Sequence, residues 1–272
     1  MKIPVLLLVI LAVLAGSAGP ARAAMDKLEV SGLFKEGSDL FKKANELYAG
    51  APEDARDLYR KAAMRFERVV KEGEVENGKL FYNIGNAYFR AGDLGRAILN
   101  YRKAEQFTPN DQNVRQNLEY ARSQRKDALE GGDQTKALRT LLFWHYDFSF
   151  SQRFLLFAGA FAGLWIAAAV RLVARRPFLK WIIGIAAVLS VALGVSLLVE
   201  SFAIRSERPG VVVVEEVTAR KGDSESYEAS FEEPLHAGAE FLVVEERSAW
   251  IHVELPDGRR CWLPTTAVAM VR

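Results

Sequence analysis

The spacing of apolar residues changes along the chain, and each change predicts a different element. Val5 to Leu14 is an unbroken apolar run close to the amino terminus. From residue 26 to 130 apolar positions recur at helical intervals, broken by short polar turns. Phe154 to Val170 and Trp181 to Val199 then give 17 and 19 residues without a charge. After Arg208-Pro209-Gly210 the period drops to two, with Val211–Val217, Glu240–Val244, Ala249–Val253 and Arg259–Pro264 as short strands. The two long runs have no polar stripe to turn toward water, so they predict helices in lipid rather than core helices. At the rise of an α-helix each covers roughly 26–28 Å, close to the hydrocarbon thickness of a bilayer.

Charge orients these elements. Lys2 precedes the first apolar run, and Ala15 to Ala23 is rich in small residues and ends in Ala21-Arg22-Ala23, the layout of a cleavable leader. Either cleaved or retained, such a leader sends residue 24 onward across the membrane. Between the long runs stand Arg171, Arg175, Arg176 and Lys180, with Pro177 forcing a turn. A short loop with four cations belongs on the cytoplasmic side. Phe143, Trp144, Tyr146, Phe148 and Phe150 before the first run read as an interfacial belt. Two unrelated signals therefore predict an out–in–out hairpin. Residues 24–153 carry 22 basic and 20 acidic side chains, and residues 200–272 carry 8 and 14. Neither block is basic enough for a nucleic-acid partner.

One helical stretch has a more specific pattern. From Gly78 to Asp111, Phe81, Ile84, Gly85, Tyr88, Gly92, Ala97, Tyr101, Ala104 and Pro109 stand at the spacing of the tetratricopeptide repeat. The reason is packing: Gly85 lets helix A approach helix B, Ala97 is the small residue at the crossing, and Pro109 ends helix B. A single repeat cannot bury its faces, so neighbours are expected. Phe41 to Tyr48 resembles helix A of a degenerate preceding repeat, with Ala44 at the small position and a lengthened middle before Ala62, Phe66 and Val69. Asn113 to Arg125 reads as a third helix A or a capping helix.

Helix A lines the concave groove of such stacks, so Tyr82, Asn83, Asn86, Phe89 and Arg90 are candidate partner-binding residues. Asn45 and Asn117 stand at matching positions of the flanking units. An amide both donates and accepts, which suits the backbone of an extended peptide. Tetratricopeptide domains that hold such peptides resemble this arrangement. The competing reading is that the asparagines only bond neighbouring helices.

The carboxy-terminal strands are short and close together, as in a small barrel. Leu235-His236-Ala237-Gly238, Trp250-Ile251-His252-Val253, the Asp257-Gly258 turn and Trp262-Leu263-Pro264 resemble bacterial SH3-like domains. Cys261 stands where that family usually has glycine. Trp250 and Trp262 are candidates for an aromatic shelf that binds peptide or glycan, or else for barrel core.

Catalytic signatures are missing. His145, His236 and His252 lack metal-ligand spacing, and no phosphate loop, nucleophile elbow or zinc-protease motif occurs. Cys261 is the only cysteine, which excludes a disulfide framework and reads as a packed thiol. The expectation is a protein that is not an enzyme and needs neither metal nor cofactor.

The expected order is a leader at 1–23, a tetratricopeptide domain at 24–130, a linker and interface segment at 131–153, a first span at 154–173, a cytoplasmic loop at 174–180, a second span at 181–199, a linker at 200–210 and an SH3-like domain at 211–272. The expected fold class is thus a multidomain membrane protein: an α-helical tetratricopeptide domain, a transmembrane hairpin and a small all-β SH3-like barrel. That order, with Tyr82-Asn83-Ile84-Gly85-Asn86-Ala87-Tyr88, Pro109-Asn110-Asp111 and Phe143-Trp144-His145, resembles BatE-like proteins of the aerotolerance (Bat) operons. The resemblance implies a scaffold in the bacterial cytoplasmic membrane with both soluble domains on the periplasmic side. It also implies partners: von Willebrand A-domain membrane proteins and, indirectly, a MoxR-type ATPase. The alternatives are a peptidoglycan-binding sensor and a hydrolase-positioning accessory, both acting through the SH3-like domain.

Overall fold

The computed structural model describes residues 25–127, 142–174, 176–206 and 208–271. The expected leader and residues 131–141 of the expected linker lie outside the described residues.

Five helices come first: α1 (Lys27–Leu47), α2 (Pro52–Gly73), α3 (Gly78–Arg90), α4 (Leu94–Phe107) and α5 (Gln112–Ser123). Their starts are set by local chemistry. Pro52 opens α2, where its missing N–H costs nothing. The side chains of Asn77, Asp93 and Asp111 accept hydrogen bonds from backbone N–H groups in the first turns of α3, α4 and α5. Gly92, at φ +83°, closes the α3–α4 turn.

The repeat packs as its spacing predicts. A Cβ on Gly85 would meet the Tyr101 ring at 2.6 Å, so glycine is what lets α3 lie on α4. Ala97, Tyr101 and Ala104 are fully buried beside Ile84 and Phe81. The preceding pair departs from the expected lengthened middle. The α1–α2 turn is short, and the extra residues lengthen the helices, to 21 and 22 residues against 13 and 14 in α3 and α4. Two small residues make this longer seam possible: Gly37 faces the Phe66 ring and Gly73 faces Val30. Ala44 packs with Ala55 and Tyr59 nearer the turn.

A short helix α6 (Phe143–Tyr146) leads into α7 (Phe150–Ala174) and α8 (Leu179–Ser206). Both long helices outrun the apolar runs that predict them, and α8 covers most of the segment read as a linker at 200–210. They pack on each other, with Gly194 beside Phe157, and are otherwise open. Trp165, Ile185 and Trp181 are 63%, 62% and 70% exposed, which is not the burial of a soluble core helix. Both are long and apolar enough to cross a membrane. Arg153, fully buried, pairs with Glu200 and donates to Ser196 Oγ at 2.8 Å, fastening the two helices at the end away from the cationic turn.

The remaining chain is a small antiparallel sheet region. Strands β1 (Pro209–Val212), β4 (Glu240–Arg247), β5 (Trp250–Glu254), β6 (Arg260–Pro264) and β7 (Val268–Met270) form one sheet in the order β6-β5-β4-β1-β7. β2 (Glu216–Val217) and β3 (Leu235–His236) form a separate pair. Gly258, at φ +84°, makes the tight turn between β5 and β6. The last strand, β7, is too short for its alternation to be read from sequence; it returns to pair with β1.

This sheet region does not stand apart from the helices. Val211 and Val271 belong to the same buried cluster as Ile98, Val114 and Leu118. A Cβ on Gly95 would meet the Val212 carbonyl oxygen at 2.6 Å, so β1 lies directly on α4. The place beyond α5 where a further repeat would stack is therefore occupied by strands.

Candidate functional site

The concave face of the helical stack forms a groove of about 630 Å3. Its helix-A walls are Phe41 from α1 and Tyr48 just after it, Tyr82, Asn86, Phe89 and Arg90 from α3, and Asn117 and Tyr120 from α5. Arg56 and Tyr101 come from the helix-B side. Three successive units thus contribute to one surface, as helical register requires. The rings meet in pairs, Phe89 with Tyr120 at 5.6 Å and Tyr82 with Tyr101 at 6.1 Å between centroids. Among the described residues no carboxylate lines the groove.

The polar floor is a connected network. Asn86 Oδ1 accepts from the Tyr101 hydroxyl at 2.8 Å and from Asn117 Nδ2 at 2.9 Å. Asn117 Nδ2 also reaches the Tyr82 hydroxyl at 3.1 Å. Burial, helped by the nearby Tyr82, pushes the Tyr101 hydroxyl well above its ordinary pKa, so it keeps its proton and stays a donor. Two donors converging on one atom fix the Asn86 amide with its oxygen inward. Asn86 Nδ2 and Asn117 Oδ1 then have no protein partner among the described residues, and neither is sealed from solvent. A donor and an acceptor, from adjacent repeats, are left facing the groove.

The seven helix-A candidates therefore divide. Tyr82, Asn86, Phe89, Arg90 and Asn117 line the groove. Asn83 is half-buried on α3 and is not part of the wall. Asn45 accepts from the Tyr59 hydroxyl at 2.6 Å, the same bond that Asn86 makes with Tyr101 one repeat later. Asn86 and Asn117 bond neighbouring helices with one end of each amide, and the other end of each has no protein partner among the described residues. Arg90 stands over the Tyr48 ring at 6.0 Å and makes no ion pair among the described residues. Phe41, Tyr48, Arg56, Tyr101 and Tyr120 also line the groove and lie outside the sequence-derived set; the first three belong to the elongated first hairpin, whose register shifts against the repeat template.

The aromatic shelf does not form as an open surface. Trp262 is 8% exposed, stacked on His252 at 4.9 Å between centroids, with the Arg247 guanidinium over its ring at 5.1 Å. Trp250 is half-buried on β5, where its register partners are Arg247 and Pro264. Burial raises the Cys261 thiol to about 12, which leaves it protonated and unreactive. Among the described residues no cluster of three His, Cys, Asp or Glu side chains is placed to hold a metal ion.

A second polar constellation joins the helices to the sheet. Glu240 at the start of β4 accepts two hydrogen bonds from Arg122, both at 2.7 Å, and lies 3.3 Å from Arg125 and 3.2 Å from Arg102. Burial works against the Glu240 charge; the Arg122 hydrogen bonds and the three guanidinium fields outweigh it and hold the carboxyl below its ordinary pKa. Beside it Asp127 accepts from the His236 backbone N–H and meets His236 Nδ1, both at 2.8 Å. Sequence reasoning missed this interface, since its partners lie at least 109 positions apart.

No curated protein and no solved structure matches the chain. Residues 78–111, the unit formed by α3 and α4, match the family model of the tetratricopeptide repeat.

Proposed function

We propose that the protein is a non-enzymatic membrane scaffold whose helical groove holds an extended segment of a partner protein. The tetratricopeptide repeat favours a role in protein–protein interaction. The observation that carries the reading is the pair of free amide functions, Asn86 Nδ2 and Asn117 Oδ1, on a groove walled by aromatic rings. The backbone N–H and C=O of one extended residue need one acceptor and one donor on the same side.

Anchoring follows from α7 and α8, which we read as a transmembrane hairpin. Asp127 precedes the hairpin and His236 follows it, yet they are bonded to each other. Helices and sheet therefore share one side of the bilayer, and the hairpin must cross twice. The cations Arg171, Arg176 and Lys180 near its turn favour a cytoplasmic turn and an extracytoplasmic head. On the Bat-like resemblance the head is periplasmic, the sheet is an SH3-like module, and the partners are von Willebrand A-domain membrane proteins acting with a MoxR-type ATPase. Peptidoglycan binding through the SH3-like module has less support, because Trp262 is buried, with His252 stacked on it and the Arg247 guanidinium over its ring.

Site-specific photocrosslinking in intact cells tests this reading. A crosslinking residue at Tyr120, on the groove, should give a discrete protein adduct that Asn86→Ala with Asn117→Ala abolishes. The same residue at Lys61, exposed on α2, should not. Equal adducts from both positions would exclude the groove as the binding surface.

A further inference from the structure

Building on the scaffold reading, we infer that the segment held in the groove is an internal acidic–aromatic stretch of the partner, its side-chain carboxylate seated on Arg90.

Charge is the first reason. Among the described residues, ten side chains and one glycine line the groove; two are arginines and none is acidic. Burial keeps the Tyr101 hydroxyl on its floor protonated, so it adds no negative charge. Most arginines of the described helical head are already paired: Arg102, Arg122 and Arg125 with Glu240, Arg96 with Asp93, Arg56 with Glu53. Arg90 is exposed, stands over the Tyr48 ring and makes no ion pair among the described residues. A guanidinium steadied by an aromatic face but lacking a carboxylate is available to an anionic group of a ligand.

The neighbours of Arg90 set the rest. Phe89 precedes it in sequence and packs against Tyr120, so a ring or branched apolar side chain next to the carboxylate has a wall to lie on. The amides decide between an internal segment and a chain terminus. A terminal carboxylate only accepts hydrogen bonds, which would set it against Asn117 Oδ1. An extended residue inside a continuing chain turns its own N–H and C=O to the same side, and so gives Asn117 an N–H and Asn86 a carbonyl at once.

Binding of blocked decapeptide pools to the full chain in lipid nanodiscs tests the inference. The pools share a randomised background and differ in a fixed central pair: Glu-Phe, Gln-Phe, Lys-Phe or Glu-Ser. Fluorescence anisotropy should rank Glu-Phe first. Gln-Phe should bind about tenfold more weakly, the loss of one charge-assisted contact. Lys-Phe should be weaker still, and Glu-Ser should also trail Glu-Phe. Arg90→Gln should close the gap between Glu-Phe and Gln-Phe while the thermal midpoint stays where it was. Equal affinity for Glu-Phe and Gln-Phe in the wild-type chain would overturn the inference. So would a gap that survives Arg90→Gln, or a marked gain from unblocking the carboxy terminus. If these outcomes arise while the Tyr120 crosslink persists, the acidic preference alone is wrong; if the crosslink also fails, the scaffold reading falls with it.

Discussion

Arg122 and Arg90 are the same residue type on neighbouring helices of one stack, and they have opposite fates. Arg122 is committed to Glu240 through two short hydrogen bonds across the joint between helices and sheet. Arg90 stands on the groove over the Tyr48 ring and makes no ion pair among the described residues. The first arrangement is complete within the chain; on the proposed reading the second is completed by a partner. Charged side chains in a repeat stack thus separate by what they face: a carboxylate from the same chain makes architecture, and an unpaired position leaves a charge open to solvent or to a ligand.

The contrast breaks most sharply at Glu240. Glu240→Gln leaves Arg102, Arg122 and Arg125 converging on a neutral group in a half-buried joint. The variant should lose about 3 kcal/mol of stability, as removal of one partner of a buried pair does. Urea unfolding of the full chain in detergent measures it. A second change, Arg122→Met in the same chain, should return part of the loss, because it removes an unpaired charge.

Gly95→Val attacks the same joint without touching a charge. Any Cβ there meets the Val212 carbonyl oxygen at 2.6 Å and the Val213 Cα at 2.8 Å. Those atoms are backbone and cannot swing aside, so about 2 kcal/mol should be lost, in the range of overpacked cores. Hydrogen exchange should show faster opening of β1 and α4 together, and little change in α1 and α2. Loss confined to the sheet would mean that the two regions fold independently.

How far these regions were legible follows from the range of their contacts. Gly85, Ala97 and Tyr101 meet within one helical hairpin, so fixed spacing is enough to predict their packing. The same local logic marked Asn86, Asn117 and Arg90 on the groove. It misjudged the first hairpin, where Gly37 and Gly73 admit a longer seam than the repeat template allows. It said nothing of Glu240, whose arginines come from α4, α5 and the residues just after α5. Gly95 looks like any small residue near a helix start until β1 is laid on it. Trp262 was ambiguous for a related reason: Arg247 and His252, which cover it, belong to other strands.

Acidity should sharpen the comparison. The folded Glu240 carboxyl sits below its ordinary pKa and the unfolded one returns to about 4.3. Its contribution is therefore complete above that ordinary value and is lost as the pH falls through the depressed folded one. Urea midpoints of the wild-type chain should drop across this acid window, and those of Glu240→Gln should drop less. The difference between the two isolates Glu240 from Asp127 and His236 at the same joint. Parallel curves would mean that the three arginines do not hold the carboxylate ionised.

Arg90→Gln is the smallest expected effect on the fold and the other half of the contrast. The side chain is exposed, has no ion pair among the described residues, and stands 6.0 Å from the Tyr48 ring, a contact that is weak in water. Its removal should change stability by less than about 0.5 kcal/mol, the usual range for surface positions away from a packed feature. Arg122→Gln, measured alongside, should be several times more costly because it strands Glu240 in the joint. Similar losses from the two substitutions would show that Arg90 is held by the fold after all, and the groove would then lack the unfilled cation that distinguishes it from the joint.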